Sequence, residues 1–581
     1  MSGIVIEKDL EVLTRDGVVL ATDVYRPAGT GSWPTLVLRT PYGKERIEQL
    51  NTSFDVLRGV RAGYAVVTQD VRGRYASSGR FEPFTFERSD GVDAIDWAAA
   101  QEWSDGTIGL IGASYFGVTQ WTAATAGQTA VRAMAPMITT DQYFNGWAYQ
   151  DGAFQLGFNL FWAAGSLAMG ELLRGVADGR FEAARLGEHV RLVDDMASVY
   201  ERFPISAQPE LDDLAPYYAE WLRHPSYDDF WKATAPKESY AQICAPALNI
   251  GGWYDLFLKG TLANYAGMKA GGGTPQARDR QRLVIGPWAH GTHDGTFPER
   301  SFGLLSGYNG IDMTGLQLRW FDWLLKGEDG RVEELKPVQV FVMGSNTWRE
   351  ADEWPLPETS YVDYFLRSGG SANTSRGDGV LSIRKPLDEP DDIFTSDPAD
   401  PVPTVGGATL MPGAPVSANA GPRDQSEVEQ REDVLCYTTE ELTAPVEVIG
   451  PVLLKLCFSS SAPDTDLTAK LVDVFPDGRA FNVAEGILRA RYRDSQSDPS
   501  LLVPGEVYEV EIDLVATACL FDVGHRIRLE IAGSNFPRFD RNSNSGGSIY
   551  NESWSDVQIA RNRVLHRSDF CSRLVLPVQD E

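Results

Sequence analysis

With 581 residues, 43% of them hydrophobic and 11% aromatic, the chain carries core material for two to four domains. A formal net charge of −29 excludes nucleic acid as a partner, because phosphate binding rests on clustered Lys and Arg. No apolar run approaches a membrane span, and the first residues lack the pattern of a signal peptide.

Residues 1–140 alternate strand and helix signals. Residues 18–25 follow an Asp16-Gly17 turn and read as one arm of a hairpin. Residues 35–39 and 64–68 are short apolar runs of the kind a parallel sheet buries on both faces. The second run leads into a Gly- and Ser-rich loop at 70–79, where Asp70 is read as the partner of Arg72. A helix is predicted over 90–100 and a strand over 108–111. That strand ends in Gly112-Ala113-Ser114-Tyr115-Phe116-Gly117, a G-x-S-x-x-G variant of the nucleophile elbow, and a helix is predicted over 118–126.

From 141 to 236 the strand signals vanish and aromatic residues crowd together, Trp147 and Trp162 among them. This is the pattern of an inserted helical cap with some rings turned to a ligand. Strands return in 237–350. Residues 247–250 run into Gly251-Gly252-Trp253-Tyr254-Asp255, and residues 282–285 into Gly286-Pro287-Trp288-Ala289-His290. An amphipathic helix is predicted over 314–325, and 338–343 reads as the last strand of this part. From 351 to 581 alternating strands (446–456, 507–514, 526–531) separate loops rich in Asp, Pro and Gly, including a long one at 397–421. The expected fold is an open α/β sheet at 1–140 and 237–350, the cap between, and a C-terminal all-β jelly-roll sandwich.

A serine hydroxyl attacks an acyl carbonyl when a base takes its proton and a third group orients the base. Only six histidines are available. Of these, His290 and His293 alone follow a strand of the α/β part, and His290 comes directly off its strand. The order Ser114, Asp255, His290 is that of α/β-hydrolases. Asp70 and Asp93 are the rivals for the orienting role. The oxyanion needs fixed donors; the Tyr115 backbone N–H is one, and the Tyr42 hydroxyl, after Thr40-Pro41, is a candidate for the second. The five scattered cysteines (Cys244, Cys436, Cys457, Cys519 and Cys571) lack metal-ligand spacing and read as thiols in a reducing, cytoplasmic setting. Neither metal nor cofactor is expected.

Five motifs together resemble the bacterial cocaine esterase family, with X-prolyl dipeptidyl peptidases and α-amino acid ester hydrolases as relatives. They are Thr40-Pro41-Tyr42, the Asp70-Val71-Arg72-Gly73 loop, the Ser114 elbow, Gly252-Trp253-Tyr254-Asp255, and Gly286-Pro287-Trp288-Ala289-His290. The resemblance continues through residues 470–480 and 534–542 and implies three domains: an α/β-hydrolase, an inserted helical cap and a jelly roll. It implies Ser114 as nucleophile, His290 as base, Asp255 as orienter, and Tyr42 and Tyr115 as oxyanion donors. By the same match Trp147, Trp162, Phe257, Leu410 and Met411 line an acyl pocket, with Met411 standing where the family has a phenylalanine. The implied activity is a serine carboxylesterase for small-molecule esters with aromatic or bulky acyl groups, acting without nucleic acid or membrane; a homodimer is compatible with it. The alternatives are an α-amino acid ester hydrolase, amidase or dipeptidyl-peptidase-like enzyme, for which Asp151 would help hold an ammonium, and a non-catalytic binding protein.

Overall fold

The structure is a computed structural model describing residues 3–46, 50–328, 335–411 and 419–579. Its N-terminal part is built on one ten-stranded sheet. The elements that matter for the site are β1 (Ile4–Leu13), β2 (Val19–Pro27), β3 (Trp33–Thr40), β4 (Ala65–Asp70), α1 (Glu87–Ala99), β5 (Ser104–Ala113), α2 (Tyr115–Ala124) and β6 (Val131–Met137). After a long insertion come β7 (Leu248–Tyr254), α3 (Leu258–Gly271), β8 (Arg282–Ala289), α4 (Met313–Phe321), β9 (Val338–Val342) and β10 (Thr347–Ala351). The strand order is β1-β2-β4-β3-β5-β6-β7-β8-β9-β10. From β4 across to β9 every neighbouring pair is parallel, so the carboxyl ends of β5, β7 and β8 gather on one edge. Every residue of β4 and β7 is buried, as expected of strands covered by helices on both faces.

Two edge strands lack the apolar runs of the inner ones, although β1 pairs antiparallel with β2 and so supplies the other arm of the hairpin expected at the Asp16-Gly17 turn. β1 alternates exposed and half-buried residues, so it lacks the continuous apolar run of its neighbours. β10 pairs antiparallel with β9, which is therefore not the last strand, and it too is largely exposed. The helix predicted over 314–325 is α-helical only to Phe321 and continues as a π-helical turn, Asp322–Lys326.

The insertion between β6 and β7 is mainly helical but holds a small hairpin, Tyr149–Gln150 with Ala153–Phe154, against the expectation of no strands. Its main helix runs Leu156–Ala177, with a π-helical segment, Trp162–Ala168, at its centre. At 22 residues it is long and apolar enough to cross a membrane, contrary to the sequence reading, but two-thirds of its apolar window is buried inside the protein. It is a core helix.

The C-terminal part is β-rich, with an eleven-stranded sheet whose strands include Thr359–Arg367, Val446–Ser460, Tyr508–Phe521 and Arg526–Ala532. Part of the long loop predicted at 397–421, residues 412–418, lies outside the described residues. This part does not hang free. One apolar cluster joins Tyr254, Ile285 and Phe341 of the α/β sheet to Leu454, Ile512 and Leu529 of the β-rich part. Lys259 on α3 ties all three parts together. Its ammonium lies 2.9 Å from Asp151 of the insertion and 2.9 Å from Asp513 of the strand Tyr508–Phe521.

Candidate active site

Ser114 stands between β5 and α2 with φ 57° and ψ −123°, a conformation that costs a non-glycine residue about 1–3 kcal/mol. The residues around it make room for that turn. Gly112 has φ 130°, and a Cβ there would lie 2.4 Å from Cβ of Phe116. Gly117 falls one residue later than the strict elbow pattern because that is where the chain meets Thr139: a Cβ at 117 would lie 2.7 Å from the Thr139 Cβ. The Ser114 N–H donates to Met137 O of β6 at 2.9 Å, which fixes the turn to the sheet.

β7 and β8 deliver the other two groups. Gly252 lets them close up, since a Cβ there would lie 2.3 Å from Trp288 O. Past β8, His290 Nε2 lies 2.9 Å from Ser114 Oγ, and His290 Nδ1 lies 2.8 Å from Asp255 Oδ2. The other Asp255 oxygen accepts the Phe257 N–H at 2.7 Å, so both carboxylate oxygens are engaged while the side chain is fully buried. With Nδ1–H donated to Asp255, Nε2 is left to accept from the serine.

The rivals are committed elsewhere. Asp70 accepts backbone N–H bonds from Lys44 and Ala76, and burial pushes its carboxyl up to about 6. It does not pair with Arg72, as the sequence reading has it. Arg72 instead binds Asp90 and Asp16, carboxylates contributed by α1 and by the turn after β1. Asp93 pairs with Arg15 at the surface. His293 stacks on Tyr308 with ring centroids 4.5 Å apart, and its Nε2 faces the His290 carbonyl at 3.2 Å. Asp151, considered as an ammonium holder, is already neutralised by Lys259 and accepts from Asn145.

The Tyr42 hydroxyl oxygen accepts the Trp162 indole N–H at 2.8 Å, and the ring tilts against Phe116. Burial raises its pKa well above the ordinary phenol value, so it remains a neutral O–H donor. Tyr115 is the first residue of α2, where backbone N–H groups have no intrahelical acceptor. Its side chain is anchored away from the serine. The hydroxyl donates to Glu87 Oε1 at 3.0 Å and accepts the Phe84 N–H, while Glu87 is held by buried Arg39 at 2.8 Å.

Four of the five expected pocket residues converge on one aromatic cluster. Phe257 presents its ring to His290 at 5.1 Å, Trp147 stacks on Phe257 at 4.4 Å, and Trp162 meets Trp147 at 5.0 Å. Leu410 packs on the same cluster. Met411 lies against Gly157, where a Cβ would come within 2.4 Å of its sulfur. Trp221, which the sequence reading missed, stacks on Trp162 at 5.6 Å; its only signal was its place in the aromatic-rich insertion. Among the described residues no three His, Cys, Asp and Glu side chains converge as a metal site.

A strained serine after a parallel strand, with Asp and His off the ends of two later strands in that order, defines a serine hydrolase on an α/β-hydrolase sheet. Comparison with known proteins agrees. The X-Pro dipeptidyl-peptidase (S15 family) profile matches residues 16–292, and the profile of the C-terminal non-catalytic domain of these peptidases matches residues 330–575. The chain belongs to the S15 family and shares 41% identity over 577 residues with the cocaine esterase of Rhodococcus sp. (strain MB1 Bresler), covering 99% of this chain and 98% of that one. Among solved structures it resembles an α-amino acid ester hydrolase (TM-score 0.82, 25% identity, covering 100% and 97% of the two chains). It also resembles an aminopeptidase from a marine sediment Thaumarchaeota archaeon (TM-score 0.82, 25% identity, covering 99% and 96%).

Proposed function

We propose that this chain hydrolyses carboxylic esters carrying aromatic or bulky acyl groups through an acyl-enzyme on Ser114. The observation that carries the reading is the hydrogen-bonded line Ser114–His290–Asp255, at 2.9 and 2.8 Å, flanked by the Phe257 ring. His290 Nε2 takes the Ser114 proton as Oγ attacks the acyl carbon. The oxyanion then forms between the Tyr42 hydroxyl and the Tyr115 N–H. Collapse breaks the ester C–O bond, His290 returns the proton to the departing alkoxide, and a water activated by the same imidazole releases the acid. In this reading the helical insertion, residues 141–236, is a cap and supplies the Trp147–Trp162 wall. The β-rich part from 351 onward is a jelly-roll sandwich that closes the pocket with Leu410 and Met411. The 41% identity to a cocaine esterase supports an ester as the substrate class.

The test is turnover of chromogenic esters with acetyl and benzoyl acyl groups by the parent and by Ser114→Ala, together with mass labelling by an aryl phosphonate. Activity confined to the parent, a preference for the aromatic acyl group, and a single adduct on Ser114 are expected. Turnover by Ser114→Ala at more than a trace would refute the assignment.

A further inference from the structure

Arg74 lies in the loop after β4. Its neighbour Arg72 is matched by two carboxylates, but Arg74 is not. It is only 2% exposed, and its guanidinium donates to carbonyl oxygens alone: Nε to Pro41 at 2.9 Å, Nη1 to Leu167 at 2.9 Å and Nη2 to Ser166 at 3.3 Å. Among the described residues no carboxylate pairs with it. A buried guanidinium without a counter-charge is strongly unfavourable, and the neutral carbonyls, with the Phe81 and Tyr75 rings 5.1 and 5.7 Å from the guanidinium carbon, offset only part of that.

The three carbonyls share a location. Pro41 immediately precedes Tyr42, while Ser166 and Leu167 lie near the end of the π-helical segment that Trp162 opens. Trp162 is the residue whose indole N–H occupies the Tyr42 oxygen. Arg74 therefore fastens both sides of the Tyr42–Trp162 bond, and that bond leaves the phenol proton free to point elsewhere. The helix is shaped to admit the guanidinium. A Cβ at Gly170 would lie 2.2 Å from Arg74 Nη2, and the backbone there is not in the positive-φ region that by itself favours glycine. The positive charge also opposes the effect of burial on the Tyr42 phenol, favouring negative charge beside it.

We infer that Arg74 is a positioning residue for the oxyanion site, holding the Tyr42 hydroxyl and the Trp162 turn in register and placing a buried positive charge behind them. This rests on the reading of Tyr42 as an oxyanion donor.

The test compares kcat and KM on a chromogenic aryl ester for Arg74→Leu, Arg74→Lys and Gly170→Ala, each in the parent and in a Tyr42→Phe background. In the parent, Arg74→Leu lowers kcat by at least about tenfold while KM moves little. Gly170→Ala, which keeps the charge but displaces it, lowers kcat in the same direction. Arg74→Lys restores part of kcat, because one ammonium cannot reach all three carbonyls. In the Tyr42→Phe background these losses shrink to within about twofold, since the donor they serve is gone. Equal losses in both backgrounds would mean a purely structural role and overturn the inference, as would an unchanged kcat in Arg74→Leu. Should Arg74→Leu not fold, Gly170→Ala decides in the same two backgrounds. A Tyr42→Phe enzyme with normal kcat refutes the oxyanion reading itself, and Arg74 falls with it. A slow Tyr42→Phe enzyme without coupling refutes Arg74 alone.

Discussion

Asp255 accepts the backbone N–H of Phe257 at 2.7 Å with the oxygen that does not face His290. One carboxylate thus orients the proposed base and pins the ring that walls the proposed acyl site. The two roles separate by substitution. Asp255→Asn retains a carbonyl oxygen for Phe257 but presents the wrong partner to Nδ1–H, so kcat should fall by about four orders of magnitude with acyl preference unchanged. Asp255→Ala removes both contacts, and the ratio of kcat/KM for benzoyl over acetyl esters should fall as well. An unchanged ratio in the alanine variant would detach Phe257 from acyl selection.

Tyr42→Phe deletes a hydroxyl and keeps the ring against Phe116. Losing one oxyanion donor typically lowers kcat about 100- to 1000-fold, roughly 2.7–4 kcal/mol. KM should move little, because the ground-state carbonyl needs the bond less. A kcat within about threefold of the parent, with equal folded fraction by thermal melting, would send the search for the second donor to a backbone N–H of the 40–44 loop.

His290→Ala should abolish activity as Ser114→Ala does, whereas His293→Phe should leave most of it. Burial, then the nearby His290, push the His293 imidazole down to about 4, so it is neutral at ordinary assay pH and can still stack on Tyr308. The sign of its pH effect follows. Its folded value lies below the ordinary 6.5, so the stability it contributes is full above 6.5 and is lost as pH falls towards 4. Melting temperatures measured from pH 7 to 4 should drop less steeply for His293→Phe than for the parent. Identical slopes would mean that His293 titrates like a solvated imidazole.

The Ser114–His290–Asp255 line was legible because each of the three residues directly follows the buried carboxyl end of an apolar strand, and that pattern is local in sequence. Gly117 looked like a departure from the elbow pattern until Thr139, on the next crossover, gave its reason. Tyr42 was a candidate on spacing, and its proposed role rests on family resemblance, since its partner Trp162 is 120 residues away. The partners of Arg72 were misread for the same reason: sequence proximity favoured Asp70, while the fold brought in Asp16 and Asp90. β1 was implied only as the other arm of the 18–25 hairpin, and β10 was missed, because edge strands face water and carry no apolar run. Arg74, whose contacts join the α/β part to the insertion, and Lys259, whose contacts join all three parts, left no sequence signal, because their partners are far away in the chain.

Lys259 gives the last test, of how those parts are joined. Its ammonium sits between Asp151 and Asp513, with side-chain exposures of 26%, 15% and 39%. Burial pulls its pKa down, but the two carboxylates outweigh that and the net shift is upward, so it stays charged. Lys259→Met removes the charge and leaves two carboxylates facing each other across the insertion and the β-rich part. Exposed pairs contribute about 0–1 kcal/mol and breaking buried ones costs about 3–5, so this half-buried trio should lose about 1–3 kcal/mol. The loss should appear as a lower first thermal transition. Adding Asp151→Asn should then recover part of it by relieving the repulsion, although the same change alone destabilises the parent. If Lys259→Met melts with the parent, or Asp151→Asn only adds to its loss, the apolar core shared by the two larger parts holds them together without the ion pairs.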